Sequence, residues 1–147
     1  MTTIGVFACI FNDQKQVLCV QRTYPPFGWT TPGGRLEDGE APEDGVIREV
    51  LEETGFHVEV EKLVGIYSAP FRSDIVISYE CRITARDDWR PNSEISAVQY
   101  FDLSHLPMDM KENTRVRIID ASAGKDGGIS RVYRTVEEHG ISNAITS

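Results

Sequence analysis

Three glutamates, Glu49, Glu52 and Glu53, fall within five consecutive positions of the segment 48–56, REVLEETGF. In a helix, residues three or four apart share a face, and each like-charged pair at that spacing destabilises an isolated helix by roughly 0.2–0.5 kcal/mol. At 100° per residue the three carboxylates span an arc of roughly 100°, at the edge of an apolar stripe that includes Val46. This acidic ridge needs either solvent or a cation to offset its repulsion.

A glycine-rich stretch precedes the ridge, where residues 32–34 read PGG and predict a tight loop without Cβ atoms. Backbone carbonyls of such a loop can point at the same space as the carboxylates. Clustered carboxylates and a free carbonyl make an oxygen-rich site suited to Mg²⁺ or Mn²⁺. A divalent cation would turn the repulsion into coordination. The alternative is a solvated acidic face without metal, which is what most charge runs are.

The helix that carries the glutamates is predicted from about Pro42 to Thr54. Proline suits the first helical turn, and Glu43 and Asp44 lie at the positive end of the helix dipole. Gly55 follows where a left-handed C-cap residue is expected. The sequence therefore places all three carboxylates on the last two turns of this helix.

The remaining elements are mostly strands, with a second helix near the end. Strands are predicted at 4–11, 17–22, 57–68 (one strand or a bent pair), 74–83 and 97–103, loops at 24–29 and 86–94, and a helix at about 111–123. The last 24 residues, 124–147, are polar and predict a short element at 130–136 and a frayed end. This order predicts one domain over 1–147, with its core at about 4–123, built as an α/β sandwich with a mixed sheet.

Composition excludes several function classes. With 147 residues and 40% hydrophobic residues, the chain can bury a core without disulfides or a structural metal. A net charge of −8 gives no general attraction to nucleic acid or anionic lipid. We therefore expect no polymeric nucleic acid partner and no membrane partner. No segment approaches the roughly 18–20 apolar residues that span a bilayer.

The three cysteines, Cys9, Cys19 and Cys81, each lie in an apolar, strand-like run and form no CxxC motif. They predict small buried side chains of a reducing compartment, so the expected location is the cytoplasm. The three histidines are isolated from one another in the sequence. A zinc site is therefore not expected.

At residues 34–56, GRLEDGEAPEDGVIREVLEETGF, the chain resembles the Nudix box, G-x5-E-x7-R-E-U-x-E-E-x-G-U, where U is a bulky apolar residue. All nine specified positions match: Gly34, Glu40, Arg48, Glu49, Val50, Glu52, Glu53, Gly55 and Phe56. The lead-in at 28–34 also resembles the family, although Thr31 stands where an apolar residue is commoner. With the segment 94–107, the resemblance covers roughly residues 4–123.

The resemblance implies a Nudix-type α/β/α sandwich that hydrolyses a pyrophosphate linkage in a nucleoside diphosphate joined to another moiety. It implies that Glu49, Glu53 and the carbonyl of Gly33 bind a divalent cation, Mg²⁺ with Mn²⁺ as a substitute, and that Glu52 binds it directly or through water. It also implies an ion pair between Glu40 and Arg48 that, with Gly34, supports the site.

The general base that deprotonates the attacking water is left open by the residues, with Glu52, Glu53 and Glu94 as candidates. Glu94 is included because an acid before this strand reaches the metal site in some family members. Arg22, at the end of the second strand, is a candidate phosphate ligand or a solvated arginine. Loop aromatics that could stack on a base are Phe27, Trp29 and Trp89, with Trp29 alternatively a plug under the glycine loop.

The sequence is compatible with three functions. The first is a Mg²⁺-dependent pyrophosphohydrolase with a small-molecule nucleotide substrate, such as a (d)NTP or a sugar nucleotide. The second is a nucleotide-binding or regulatory domain of the same fold that has lost catalysis, which an intact box disfavours. The third is an acidic helix without metal. A homodimer is compatible with each of them.

Overall fold

The computed structural model describes residues 1–124 and 128–140. Its strands are β1 (Thr3–Cys9), β2 (Val17–Arg22), β3 (Gly28–Thr30), β4 (Gly33–Arg35), β5 (Phe56–Ala69), β6 (Asp74–Arg86), β7 (Ile95–Phe101) and β8 (Ile129–Val132). Its α-helices are α1 (Pro42–Thr54), α2 (Glu112–Ser122) and the single turn α3 (Val136–His139). Short 3₁₀ turns occur at Pro70–Arg72 and Leu103–His105.

The strands form two sheets. The larger has the order β4-β1-β6-β5-β8 and is mixed, because β1 pairs with β6 and β5 pairs with β8 in parallel while the other neighbours are antiparallel. The smaller sheet is antiparallel, with the order β3-β2-β7. Strand β4 is the edge of the larger sheet beside helix α1, so it lies next to the acidic ridge.

Side-chain alternation along β1 places a helix on each face of the larger sheet. Val6 points to one face, where it shares a core with Val46 and Val50 of α1. Cys9, three residues later, points to the other face and packs with Ile118 of α2. The predicted α/β/α sandwich with a mixed sheet between helices is confirmed.

Helix α1 has the bounds that the sequence predicted, and Gly55 ends it in the left-handed conformation with φ 76°. The prediction of loops at 24–29 and 32–34 was partly wrong. Gly28–Thr30 is paired with β2, and Gly33–Arg35 is paired with β1. Glycine and proline argue against regular structure from local preference, but neighbouring strands supply the hydrogen bonds that hold these short segments extended.

The C-terminal segment adds β8 to the free edge of β5 and returns to the body of the protein through α3. Buried Asp120 of α2 fixes this return, because it accepts hydrogen bonds from Tyr67 at 2.8 Å and from Arg131 of β8 at 2.8 and 2.7 Å. The short element predicted at 130–136 is thus present as a strand and the start of a helical turn. The predicted frayed end at 141–147 lies outside the described residues.

All three cysteines are buried and carry free thiols. Burial is the main cause that raises the thiol pKa, to about 11 for Cys9 and to about 12 for Cys19 and Cys81. Among the described residues, no helix has the length and hydropathy needed to cross a bilayer.

Candidate active site

Glu53 lies at the buried end of the acidic ridge, between helix α1 and strand β4. The residue is 5% exposed, and its Oε1 accepts a hydrogen bond from the backbone N–H of Gly33 at 3.0 Å. Burial is the largest effect on this carboxyl group and raises its pKa to about 8, with a further contribution from the charge of Glu49. The sequence placed the three glutamates at the edge of the apolar stripe, and Glu53 is more buried than an edge position alone implies, because β4 packs beside it.

Glu49 lies one helical turn before Glu53 and rests against the backbone of β4. An ideal Cβ built on Gly34 would lie 2.8 Å from the carboxylate of Glu49, so only glycine leaves this space open. Burial raises the pKa of Glu49, against the opposing effect of the Arg48 guanidinium. Two neighbouring carboxyl groups thus share a partly desolvated space in which negative charge is costly.

Arg48 connects the ridge to the loop that precedes the helix. Its Nε and Nη2 donate to the two carboxylate oxygens of Glu40 at 2.7 and 2.9 Å, and its Nη1 donates to Glu49 at 3.0 Å. Glu52, whose side chain is 58% exposed, is a weaker partner at 3.4 Å. The ion pair between Glu40 and Arg48 that the family resemblance implied is present, with bidentate geometry.

Gly33 presents its backbone polar groups to the ridge rather than to β1. It lies opposite Phe7, and the next pairing along the strand is a hydrogen bond from Ala8 N to Pro32 O at 2.9 Å. Hydrogen-bonded and non-hydrogen-bonded pairs alternate in an antiparallel ladder, so the N–H and C=O of Gly33 face away from β1. Since its N–H reaches Glu53, its carbonyl lies on the same side of the strand.

The described residues contain no group of three or more His, Cys, Asp or Glu side chains already arranged around one cation position. Glu49 and Glu52 instead face Arg48. The donor chemistry nevertheless fits a hard divalent cation, because the carboxylates of Glu49 and Glu53 both lie against β4, where the backbone of Gly33 offers a carbonyl oxygen. The raised pKa values of Glu49 and Glu53 fit it too, because a cation would offset the buried charge.

Glu94 is exposed and lies at the end of the loop 86–94. Its backbone carbonyl accepts a hydrogen bond from Thr23 N at 2.9 Å, and its N–H donates to Asn92 Oδ1 at 2.9 Å. Its charge helps to raise the pKa of Tyr24, as do the charges of the ridge glutamates, with burial the largest cause. Glu94 and the ridge glutamates thus act on the same tyrosine, but within the described residues no hydrogen bond or ion pair joins Glu94 to the ridge.

A cavity of about 510 Å³ opens beside β4, next to the ridge. Gly34 and Arg22 line the side of the cavity that faces the ridge. The charge of Arg22 partly offsets the charges of Glu49 and Glu53. Other described residues of its wall come from the loop after β2, from β3, and from α2 with the residue before it; they include Tyr24, Pro25, Pro26, Phe27, Trp29, Lys111 and Arg117. The cavity has the size of a small-molecule site and adjoins the ridge.

Arg22 ends β2, and its guanidinium lies 5.4 Å from the ring centroid of Tyr24 and 6.0 Å from that of Phe7. Its Nε is buried and has no hydrogen-bond partner among the residues that the structure describes. The guanidinium therefore has a free donor at the border between the ridge and the cavity. The contact between Arg22 and a phosphate stays a prediction.

The loop aromatics have different places. Trp29 packs edge-on against Phe101, with ring centroids 4.8 Å apart, and also lines the cavity. Phe27 is 64% exposed at the cavity wall. Trp89 lies beside Gly55 at the end of α1, where a Cβ on that glycine would be 2.8 Å from the Cβ of Trp89. Trp29 and Phe27, but not Trp89, are among the residues that line the cavity.

The sequence analysis singled out none of the basic side chains of the cavity other than Arg22: Arg35, Arg72, Lys111, Arg117 and His139. Arg117 carried a readable signal, because Thr114, Arg117, Ile118 and Ala121 follow the i, i+3, i+4, i+7 pattern of a buried helix face. An arginine on such a face has to meet a partner or a cavity. His139 carried none, since it comes from the C-terminal segment.

His139 is 5% exposed and closes the cavity against the start of α2. Its Nε2 lies 3.0 Å from Asn113 Nδ2, and its ring packs edge-on against Tyr133. Burial lowers its pKa to about 4, and the nearby charges of Arg72, Arg117 and Lys111 act in the same direction, against Asp74. The imidazole is therefore neutral in the folded protein at neutral pH.

Acid is expected to destabilise the protein through His139. Unfolded histidine titrates near pH 6.5, so between about pH 6.5 and 4 the unfolded state binds more protons and folding stability falls. The loss should reach about 2 kcal/mol on going from pH 7.5 to 5. Urea unfolding at both pH values should show a smaller loss for His139→Gln, whereas exposed His105→Gln should behave like the wild type. An equal loss in all three proteins would contradict this.

The family model of the NUDIX domain matches residues 1–121. The chain belongs to the Nudix family. A Bacillus subtilis (strain 168) protein named "Putative 8-oxo-dGTP diphosphatase" is 31% identical over 99% of this chain and 94% of its own length. An ADP-ribose pyrophosphatase of Methanocaldococcus jannaschii is 33% identical over 71% of this chain and 64% of its own length.

A solved structure supports the same assignment. An ADP-ribose pyrophosphatase from Streptococcus suis 89-1591 superposes with a TM-score of 0.71 at 25% identity, over 90% of this chain and 100% of its own. The predicted class, a Nudix hydrolase acting on phosphoric anhydrides, is confirmed at the level of the family. The Nudix match ends at residue 121, before β8 and α3.

Proposed function

We propose that the chain hydrolyses a pyrophosphate bond in a nucleoside diphosphate linked to another moiety, using a divalent cation, Mg²⁺ or Mn²⁺. The observation that carries this proposal is the convergence of Glu53, Glu49 and the backbone of Gly33 beside a cavity of small-molecule size. Family membership supports the reaction class. The relatives named for 8-oxo-dGTP and ADP-ribose supply two substrate candidates.

Glu49, Glu53 and the carbonyl of Gly33 would hold the cation, with Glu52 as a direct or water-mediated ligand. The bound cation would neutralise the diphosphate oxygens and lower the pKa of a bound water. Glu40 and Arg48 fix the ridge through their bidentate pair. Gly34 supports the site by leaving space for the carboxylate of Glu49.

Arg22 would place its free donor on a phosphate oxygen at the border of the cavity and stabilise the charge of the departing phosphate. In the reaction, the oxygen of water forms a bond to one phosphorus, and the P–O bond of the linkage breaks. A carboxylate takes the proton of that water. Glu52, Glu53 and Glu94 are the candidates for this base, and we favour Glu94 because the ridge glutamates are committed to the cation.

Glu94→Gln is expected to lower kcat by more than about tenfold while KM stays within a few-fold of the wild-type value. The reason is that Glu94 would remove a proton but not hold the phosphates. Steady-state kinetics as a function of pH provides the test, since the acidic limb of the kcat profile should vanish or move. Asp88→Asn, on the same exposed loop, is the matched control. If kcat of Glu94→Gln stays within about tenfold of the wild-type value and the acidic limb is unchanged, the general base is a glutamate of helix α1.

The reaction class is tested by a substrate panel with Mg²⁺ that contains ADP-ribose, dinucleoside polyphosphates, sugar nucleotides, and normal and oxidised (d)NTPs. Release of a nucleoside monophosphate or of inorganic phosphate from at least one compound of the panel supports the proposal. If no member turns over while the nucleotides raise the melting temperature, the protein is the binding domain without catalysis. If Mg²⁺ and Mn²⁺ also leave the melting temperature unchanged, the acidic helix binds no metal.

We also propose that the protein can form a homodimer, which size-exclusion chromatography with light scattering tests. We further propose that it is located in the cytoplasm, which fractionation of cells that express the protein tests.

A further inference from the structure

The cavity beside the ridge is positively charged, although the chain as a whole carries a net charge of −8. Among the described residues that line it, five are lysine or arginine and one is acidic. The five cations are Arg22, Arg35, Arg72, Lys111 and Arg117. The acidic residue, Asp74, accepts a hydrogen bond from the hydroxyl of Thr3 at 2.9 Å. An acidic protein has thus concentrated cations around one cavity.

Arg117 is the most deeply buried of these cations, at 4% exposure. Among the described residues, its guanidinium donates only to neutral oxygens, Asn113 O at 3.4 Å and Thr114 Oγ1 at 3.3 Å, and it lies 4.5 Å from the centroid of the Phe7 ring. Its Nε is buried and finds no hydrogen-bond partner in the described part of the chain. Within residues 1–124 and 128–140, no carboxylate lies within 4.0 Å of it. A buried arginine normally needs an anion.

Arg22 and Lys111 extend this charge from the ridge into the cavity. Neither has a carboxylate within 4.0 Å in the described part of the chain. Burial lowers the pKa of Lys111, and the charges of Arg72 and Arg22 add to this effect. The charge of Arg22 also acts on Arg117. The charge of Arg22 thus acts both on the ridge carboxylates and on the two cations Lys111 and Arg117.

We propose that Arg117 and Lys111, with Arg22, form an anion subsite that binds a phosphate group of the substrate beyond the two phosphates of the cleaved linkage. This inference rests on the proposed function, because the cleaved linkage is placed at the ridge. The remaining space beside Tyr24, Phe27 and Trp29 suits the base or the sugar ring of the same nucleotide. The preferred substrates are therefore nucleotides with a third phosphate, such as (d)NTPs, rather than nucleotides linked to a neutral sugar.

The subsite is tested by anion binding in the absence of metal, so that hydrolysis plays no part. Isothermal titration in EDTA measures binding of inorganic phosphate and of ribose 5-phosphate, with ribose as the neutral reference. The wild type should bind both phosphates and not ribose. Arg117→Met and, separately, Lys111→Met should bind them at least about tenfold more weakly, since each loses a charged hydrogen-bond donor. Arg82→Met, at an exposed position of β6, loses the same charge and should bind like the wild type.

The outcomes separate the subsite from the proposed function. The proposed subsite is wrong if the wild type does not bind phosphate. It is also wrong if the wild type and the three variants bind phosphate equally. Lys111→Met keeps the test valid if Arg117→Met does not fold. Charge-dependent phosphate binding without turnover of any panel compound overturns the hydrolase assignment and leaves the subsite in place.

A kinetic comparison then tests the substrate preference. A nucleoside triphosphate and a nucleoside diphosphate sugar of the same base are compared with Mg²⁺. In Arg117→Met, KM for the triphosphate should rise at least about tenfold more than KM for the sugar nucleotide. An equal rise in KM for both compounds would mean that Arg117 supports the fold of the cavity and does not bind a third phosphate.

Discussion

Glu53→Gln is expected to reduce turnover by two or more decades, on the order of 3 kcal/mol of transition-state stabilisation, while the protein still folds. The amide oxygen of glutamine can still accept the hydrogen bond from Gly33 N–H, so the contact between α1 and β4 is kept. What is lost is the negative charge that a divalent cation needs. Steady-state kinetics at saturating Mg²⁺ measures the effect, and exposed Glu43→Gln on the same helix is the matched control.

The same variant has a second expected effect, on stability without metal. Because the pKa of Glu53 is raised to about 8 by burial, ionising it costs stability as pH rises from its ordinary value near 4.5 toward 8. Glutamine removes that cost, so Glu53→Gln should melt higher than the wild type in EDTA at pH 7. Mg²⁺ should raise the melting temperature of the wild type more than that of the variant. Near-normal turnover at saturating Mg²⁺ would contradict the assigned role of Glu53.

Gly33→Ala is expected to cause both inactivation and a loss of stability of about 1–3 kcal/mol. An added Cβ would lie 2.2 Å from the carbonyl oxygen of Val6 and 2.7 Å from the Cα of Phe7. Both atoms belong to the backbone of β1, so β4 would have to move away from the sheet. That movement would also displace the Gly33 N–H from Glu53. Urea unfolding and turnover, measured on the same sample, test the two parts of the prediction.

Gly34→Ala should separate these effects. Its Cβ would meet the carboxylate of Glu49 at 2.8 Å, which is the end of a flexible side chain and can rotate away. Turnover should therefore fall with little loss of stability. Gly128→Ala is the control, since no atom of the described residues beyond its chain neighbours lies within 4 Å of an added Cβ. If Gly33→Ala keeps wild-type stability and rate, the backbone of β4 does not form the site.

The acidic helix could be predicted closely because its signals are local. Pro42, the spacing of the apolar residues and Gly55 fix its bounds, and the family resemblance adds the pair between Glu40 and Arg48. The burial of Glu53 could not be predicted in this way. It depends on β4, which the glycines at 33 and 34 allow to approach the helix, and that approach is set by pairing with β1.

The cavity was beyond sequence reasoning for a similar reason. Arg72, Arg117 and His139 are widely separated in the chain and meet only after β1, α2 and the C-terminal segment have packed together. A solvated arginine and a buried one look alike in a single sequence. The exception is Arg117, whose place on the buried face of α2 follows from helical periodicity.

The burial of all three cysteines has a practical consequence for measuring motion. Thiolates, not thiols, react with maleimides, and burial keeps Cys9, Cys19 and Cys81 protonated and covered. A fluorophore or spin label should therefore attach only to a cysteine introduced on the surface, without replacement of the native three. Asp88→Cys would place such a label on the loop that carries Glu94, and its signal would report whether that loop closes when nucleotide is added.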